Sequence, residues 1–214
     1  MSASTSPTYP QVVPLFPLSQ CIVLPFCSLP LRLFEPRYLQ MFEDRDENGA
    51  FIGIIQPREI DHDNRELHQV GTLTEIVDYK TLENRQYLIT VRGVTRFNIS
   101  SEVSRAEKLY RMASIDVSPY AKDLQELAVK NFDRETFFVD LEKYLRHKGI
   151  RLDFAQIKEL SDLKIINIVS QVLPFRSIEK QTLLEAHSIE ERLEVLRDLL
   201  SMAMFDSMQS SPLN

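Results

Sequence analysis

The side chains best suited to chemistry in this chain of 214 residues are two cysteines, four histidines and several grouped carboxylates. Cys21 and Cys27 lie six positions apart across a proline, so a disulfide between them is geometrically possible. A zinc site would need more thiolate or imidazole ligands at short, regular spacings. No histidine has such a spacing from a cysteine; the four are His62, His68, His147 and His187. We therefore predict no metal site, and we expect buried, reduced thiols, as is usual inside cells.

The run Asp61-His62-Asp63, with His68 after it, gathers carboxylates and imidazoles, but turn chemistry alone explains it as a solvated loop between two strands. The five glycines form no phosphate-binding loop, dinucleotide turn or nucleophile elbow. We predict no catalytic and no cofactor-binding residue. Catalytic groups need only meet in space, so a site can exist without a sequence motif. One interpretation that therefore stays open is a small-molecule sensor or an enzyme with an unrecognised site.

Charge and hydropathy argue against two broad classes of partner, nucleic acids and membranes. The net charge is −6, the isoelectric point is about 5.3, and lysines and arginines alternate with acids along the chain. Nucleic-acid binding needs clustered cations, so it is disfavoured. The cluster Arg146-His147-Lys148 fits the end of a helix, where cations complement the dipole. No apolar run is long enough for a membrane span, and the N-terminus does not resemble a secretory signal, so we expect a cytoplasmic location.

The elements that must position any site begin with a proline-punctuated stretch. Because proline cannot donate to a central ladder, its prolines predict short, edge-like strands and sharp corners. A helix is predicted from Pro36 to Glu43, with Glu35 and Pro36 suited to its first turn. Short strands then follow to residue 117, and their irregular spacing favours a small closed or half-closed β-barrel. They are predicted at 51–55, 70–77, 87–99 with a bulge or bend at Gly93, and 110–117.

The second half has helical periodicity. Asp133 caps a predicted helix that ends at Lys148, with Gly149 after it. We expect its apolar face to carry Phe137, Phe138, Leu141, Tyr144 and Leu145. Ser161 is predicted to cap a helix that stops at Pro174, Ser177 begins another, and Ser188 to Glu191 form a capping box. The expected class is therefore α+β, with a disordered tail at 1–11, a β-barrel at 12–118, a helical bundle at 119–206 and a disordered tail at 207–214.

Four ordered motifs resemble the N-terminal, substrate-binding domain of the ATP-dependent protease Lon. They are Pro14-Leu15-Phe16-Pro17-Leu18 with the run from Leu29 to Tyr38, Phe51-Ile-Gly-Ile, Val70-Gly-Thr-Leu-Thr-Glu-Ile76, and Gly93-Val-Thr-Arg96-Phe97. Phe26 stands where this family usually has glycine. The chain carries neither the ATPase nor the Ser–Lys peptidase module, so it resembles the free-standing Lon-domain proteins of bacteria. The resemblance implies a PUA-like β-barrel followed by a helical bundle.

The resemblance also implies a function, a non-enzymatic module that binds unfolded or specific polypeptides, as an adaptor or regulator of proteolysis with Lon as a candidate partner. The alternative is an RNA-binding PUA-like protein, against which the acidic charge argues. The candidate polypeptide-binding residues are Phe26, Leu29, Arg32, Phe34, Arg37 and Tyr38. Their structural alternatives are core packing for the apolar side chains and a Glu35–Arg37 ion pair that fixes the helix. A peptide could also add to a strand edge. The oligomeric state stays open.

Overall fold

The computed structural model describes residues 9–47, 49–58, 66–151 and 155–209, without the side chains of 155, 156 and 203–209. The Asp61-His62-Asp63 run and most of the two expected tails lie outside these ranges. The chain divides into two compact units between Leu124 and Gln125, and each is described by itself. No helix in these ranges is long and apolar enough to cross a membrane.

The first unit is built on a six-stranded sheet whose pairings close into a ring. The strands are β1 (Val12–Pro17), β2 (Ser28–Leu33), β3 (Phe51–Ile55), β4 (Val70–Thr81), β5 (Tyr87–Val103) and β6 (Met112–Asp116). The ring runs β5-β4-β3-β1-β6 and returns to β5, while β2 pairs with the first half of β5 as an edge strand. Only β1 and β3 run parallel. Together with the helices below, this confirms the α+β class.

Glycines allow the strands to approach large buried groups. A β-carbon on Gly71 would stand 2.6 Å from the ring of Phe97, which is fully buried. A β-carbon on Gly93 would stand 2.2 Å from the carbonyl oxygen of Leu24, so the segment before β2 crosses β5 at this point. The register between β4 and β5 shifts next to Gly93, as the sequence predicted.

The helix predicted at Pro36–Glu43 is present with those bounds and is named α1. Pro36 occupies its first turn, where a missing N–H costs nothing. Tyr38, Met41 and Phe42 face inward and join a core cluster with buried residues of β5, including Ile89. The amphipathic spacing of α1 therefore fixes it against the sheet.

A short 3-10 segment, Ser118–Leu124, ends the first unit and lies on β5. The guanidinium of Arg96 binds the carboxylate of Asp123 through two nitrogens, Nε at 2.8 Å and Nη2 at 2.9 Å. Both side chains are more than nine-tenths buried, and the guanidinium carbon lies 4.6 Å from the centroid of the Tyr120 ring. This segment therefore belongs to the first unit, which extends to Leu124.

The second unit is helical. Its helices are α2 (Arg134–Lys148), α3 (Ala155–Lys158), α4 (Asp162–Val172), α5 (Ser177–Glu185) and α6 (Ile189–Gln209). Asp133 caps α2 by accepting the Thr136 N–H at 3.2 Å, and Gly149 follows in the left-handed conformation, as predicted. The tail expected from residue 207 is helical as far as Gln209, within α6.

Three local predictions need correction. Ser161 stands at the N-cap of α4, but its hydroxyl donates to Glu126 instead of capping the helix. Phe138 is only half-buried, because it lies beside the inward face of α2. Cys27 is buried but Cys21 only partly so, and neither forms a disulfide.

Candidate functional site

A cleft of about 400 Å³ lies beside the start of α1 in the first unit. We name it the Tyr38 cleft. Segments distant in sequence meet there: the end of β1, the start of α1, the two sides of the loop after β3, and the residues before β6. Its lining residues are Leu15, Pro17, Ser19, Arg37, Tyr38, Pro57, Leu67, Leu109, Tyr110 and Arg111.

Tyr38 is the aromatic centre of the cleft. Its ring stacks on Phe16 with the centroids 4.0 Å apart, and it is 5% exposed. The guanidinium carbon of Arg37 lies 4.6 Å from the ring centroid, within cation–π range. Burial raises the pKa of the Tyr38 hydroxyl, while the nearby charges of Arg37 and Arg111 act in the opposite direction. The hydroxyl is therefore protonated at neutral pH and can donate a hydrogen bond.

Two arginines give the cleft its charge. Arg37 donates from Nε at 3.0 Å and from Nη2 at 2.7 Å to the same oxygen of Glu35. Arg111 binds Glu102 through Nε at 2.9 Å and through a second nitrogen. Neither glutamate is among the described lining residues, and the described lining includes no other carboxylate. The charged groups among the described lining residues are thus cationic, and the glutamates paired with them are not among those residues.

Leu109 supplies an apolar rim. Its side chain is 66% exposed, the largest exposure among the large apolar side chains of the described residues. Its backbone is nevertheless fixed, because its N–H donates to Gln40 Oε1 at 2.7 Å and Gln40 Nε2 donates to the carbonyl of Glu107 at 2.9 Å. Because hydrogen bonds already fix the backbone at this leucine, ligand binding loses less conformational entropy there.

A second clamp holds the same loop. Lys108 Nζ donates to Asp44 and to Glu47 at 2.9 Å each, and the Tyr110 hydroxyl donates to Asp44 at 2.9 Å. The two carboxylates, Glu47 first, raise the pKa of Lys108, so the clamp stays charged through the neutral range. The wall formed by residues 107–111 is therefore attached to α1 and to the turn that follows it.

The opposite rim comes from the base of the loop after β3. Pro57 pairs with Leu67, and the Arg58 N–H donates to the carbonyl of Glu66 at 2.8 Å. The Leu18 N–H donates to Ile55, which ties the end of β1 to the same place. These backbone hydrogen bonds connect this side of the cleft to the ends of β1 and β3.

The structure separates the six predicted polypeptide-binding residues. Arg37 and Tyr38 line the cleft, and they also make the ion pair and the stacking contact of the structural alternative. The other four are not among its lining residues. Phe34 is 59% exposed between β2 and α1, Arg32 is exposed and donates to Gln86 at 3.0 Å, Leu29 is half-buried against the core, and Phe26 is half-buried in a turn.

Phe26 has a φ of +66°, in the left-handed region that favours glycine. This explains why the glycine of the resembled pattern suits the position, and it shows that the turn is kept in spite of the side chain.

Sequence reasoning missed the half of the cleft that is built by Leu109, Arg111, Pro57 and Leu67. The available signal was a leucine between Lys108 and Tyr110, immediately before a predicted strand. Spacing could not reveal that this leucine faces the start of α1.

Comparisons with known proteins agree on one family. The family model described as the ATP-dependent protease La (LON) substrate-binding domain matches residues 12–202. A Lon protease of Flavobacterium johnsoniae is 28% identical over 196 residues, and one of Buchnera aphidicola is 24% identical over 193 residues; each alignment covers 88% of this chain and 24% of the relative. The chain therefore spans about a quarter of the length of these relatives.

Two solved structures share the fold. A Lon N-terminal domain protein from Xanthomonas campestris superposes with a TM-score of 0.60 at 20% identity, and the match covers 89% of this chain and 97% of the Xanthomonas chain. The N-terminal domain of the Lon protease from the Mycobacterium avium complex gives 0.59 at 18% identity, covering 89% and 98%. At this level of identity the likeness speaks for the fold alone.

Proposed function

Since the chain belongs to the ATP-dependent protease La (LON) substrate-binding domain family, we propose that it recognises polypeptides and that the Tyr38 cleft receives them. The observation that carries this proposal is the exposed Leu109 at the rim of a cavity whose walls are fixed by hydrogen bonds and ion pairs. Apolar lining with a few placed polar groups is typical of binding sites. The cleft is lined by Arg37 and Tyr38. Arginine and tyrosine are enriched among the interface residues that contribute most of the binding free energy.

We propose further that this chain contributes binding and no catalysis. The matched family is the substrate-binding part of Lon, and the match does not extend to an ATPase or a peptidase. In this proposal the chain is an adaptor or regulator that presents polypeptides for proteolysis, with Lon as a candidate partner. The closed ring of strands and the contacts of α6 with α2, α4 and α5 support a PUA-like barrel followed by a helical bundle.

The edge strand β2 is the competing place for a polypeptide, since an extended segment could pair with its free side. Pro30 stands in the middle of β2 and has no N–H to donate, and Arg32 puts a charge on the strand. Proline and charge are common means of protecting strand edges from added strands. We therefore favour the cleft over this edge.

The test uses the full chain and an unfolded, fluorescently labelled model polypeptide. Binding is measured by anisotropy and located by backbone amide NMR shifts, which we expect at residues 107–111 and at the start of α1. Covering the exposed part of a leucine contributes about 1–1.5 kcal/mol, so Leu109→Ser should weaken binding roughly tenfold.

Ile178→Ser is the matched control, because Ile178 is 60% exposed, lies on α5 of the second unit and is not among the described lining residues of the cleft. It should leave binding unchanged. The proposal fails if L109S binds like the wild type while folded, or if the amide shifts map to β2. Shifts produced by RNA and not by polypeptide would favour the RNA-binding alternative.

A further inference from the structure

We propose that the Tyr38 cleft selects polypeptide segments in which an acidic residue stands next to a bulky apolar one. This inference rests on the proposed function, and it adds the chemistry of the segment. The apolar side chain would enter between Tyr38 and Leu109, and the carboxylate would lie against Arg37 and Arg111.

The hydrogen bonds of Arg37 leave it able to hold a second carboxylate. A guanidinium has five N–H donors in a planar fork. Arg37 uses Nε and Nη2 on one oxygen of Glu35, and its Nη1 has no hydrogen-bond partner among the described residues. The side chain is 51% exposed, so a ligand can reach it without displacing Glu35.

Arg111 places a second positive charge on the same cavity. Its backbone carbonyl accepts the Leu15 N–H at 2.8 Å, which fixes the residue beside β1. Its side chain is 31% exposed and is oriented by Glu102, which lies on β5. The charges of Arg37, Glu35 and Arg111 all act on the Tyr38 hydroxyl, Arg37 most strongly among them, so both arginines are close enough to act on a ligand beside it, with Glu35 opposing them.

The size of the cavity limits what can enter. About 400 Å³ falls at the small end of the range of about 300–1,000 Å³ for ligand sites. Side chains of an extended segment fit such a space better than the surface of a folded partner. Among the described lining residues a basic segment would meet two guanidinium groups and no carboxylate, so like charges would select against it.

The overall charge of −6 opposes an acidic ligand, but it acts over longer distances. At physiological ionic strength charges are screened over about 8 Å. The charges nearest a bound segment, the two arginines and the glutamates paired with them, therefore matter most, and of these only the arginines are among the described lining residues. Partly exposed ion pairs are modest, so we expect about a threefold to fivefold preference for each carboxylate.

The experiment compares peptides that share a Leu-Phe pair and differ only in the two flanking residues, which are Asp, Asn or Lys. A fourth peptide keeps Asp and replaces Leu-Phe by serines. Binding to the full chain is measured by anisotropy at low ionic strength and at about 0.15 M salt. We expect the order Asp, Asn, Lys, weak binding of the serine peptide, and a smaller preference for Asp as salt rises.

Variants test whether the cleft arginine Arg37 causes the preference for Asp over Asn. Arg37→Gln should remove most of the preference for Asp over Asn, whereas Arg37→Lys, which keeps the charge, should retain part of it. Arg92→Gln is the matched control, since Arg92 is an exposed, glutamate-paired arginine of β5 that does not line the cleft. It should keep the full preference. Circular dichroism checks that each variant is folded.

The outcomes separate this inference from the function beneath it. If neither the peptides nor the unfolded polypeptide bind, the proposed function itself is wrong. If the Leu-Phe peptides bind equally well with Asp, Asn or Lys, or best with Lys, the function stands and the inference is overturned. It is also overturned if Arg37→Gln keeps the full preference for Asp, because the selecting charge then lies elsewhere.

Discussion

Removing the Asp123 carboxylate should strip the buried Arg96 of its counterion and destabilise the first unit. The pair has two guanidinium hydrogen bonds, and the Arg96 backbone N–H also donates to Asp123, at 3.0 Å. The side chains are only 5% and 9% exposed. Breaking such a pair from one side costs about 3–5 kcal/mol, because a charge stays buried without its partner. Against a total stability of about 5–15 kcal/mol, Asp123→Ala should remove at least about a fifth of the free energy of unfolding and, in a marginally stable chain, nearly all of it.

The chain contains its own control on the same strand. Arg92 pairs with Glu75 at 2.8 Å, but their side chains are 54% and 39% exposed. Both are arginine–carboxylate pairs, but this one is exposed and is joined by a hydrogen bond from Arg92 Nη2, so Glu75→Ala should cost about 1 kcal/mol or less. The double variant Arg96→Met with Asp123→Leu should recover most of the loss, since well-packed apolar residues can replace a buried pair.

Urea unfolding followed by circular dichroism and tyrosine fluorescence measures these differences, because the chain has no tryptophan. The midpoint should shift while the slope with denaturant stays constant. Amide hydrogen exchange should show residues 118–124 opening first in Asp123→Ala. Equal losses for Asp123→Ala and Glu75→Ala would refute the reasoning, because burial would then not set the energy of the pair. A double variant less stable than Asp123→Ala would refute it as well.

Three further predictions test backbone and charge. At Phe26, with φ of +66°, the glycine variant should be more stable than the alanine variant by about 1 kcal/mol. Gly93→Ala should lose about 3 kcal/mol, because its new methyl group meets the Leu24 carbonyl at 2.2 Å; Gly149→Ala, with no neighbour within 4 Å but a φ of +67°, should lose about 1 kcal/mol. Because the pKa of Tyr38 is raised on folding, its contribution to stability is complete below the ordinary pKa near 10 and is lost as pH rises through the folded-state value. Tyr38→Phe should therefore unfold less steeply in alkali.

Urea midpoints check all three. The strain at residue 26 is disproved if alanine there is as stable as glycine. The close approach at Gly93 is disproved if Gly93→Ala and Gly149→Ala lose equally. The assignment of the raised pKa is wrong if Tyr38→Phe and the wild type lose stability in parallel above pH 10.

Local signals predicted most of the elements. The helix at Pro36–Glu43 and the cap of α2 follow from proline, Asp133 and Gly149, whose preferences act within a few residues. The strand at Phe51–Ile55 follows from a short apolar run bounded by turn residues. Ser161 shows the limit of such signals, because a hydroxyl at an N-cap position can find a distant partner, here Glu126.

The candidate site was predicted only where it touches a motif. Arg37 and Tyr38 fall within the run that identified the family, but Leu109 and Arg111 come from a segment some seventy residues later. Their meeting depends on the antiparallel approach of β6 to β1, which the order of residues does not specify. The pairing partners of these six strands are a non-local property, and so is the cleft that their pairing forms.

The motif residues and the cleft residues follow different physical constraints. Three motif residues are needed for packing: Gly93 allows a close backbone approach, Arg96 forms a buried ion pair, and the side chain of Phe97 is fully buried. Substituting them should therefore destabilise the sheet. Leu109 is exposed and held by its backbone, so its side chain can change at little cost to the fold. A likeness built on the first kind of residue therefore identifies the scaffold, whereas in the proposed function the choice of ligand is set by residues like Leu109. The same scaffold can thus carry different ligand preferences without changing any residue by which it is recognised.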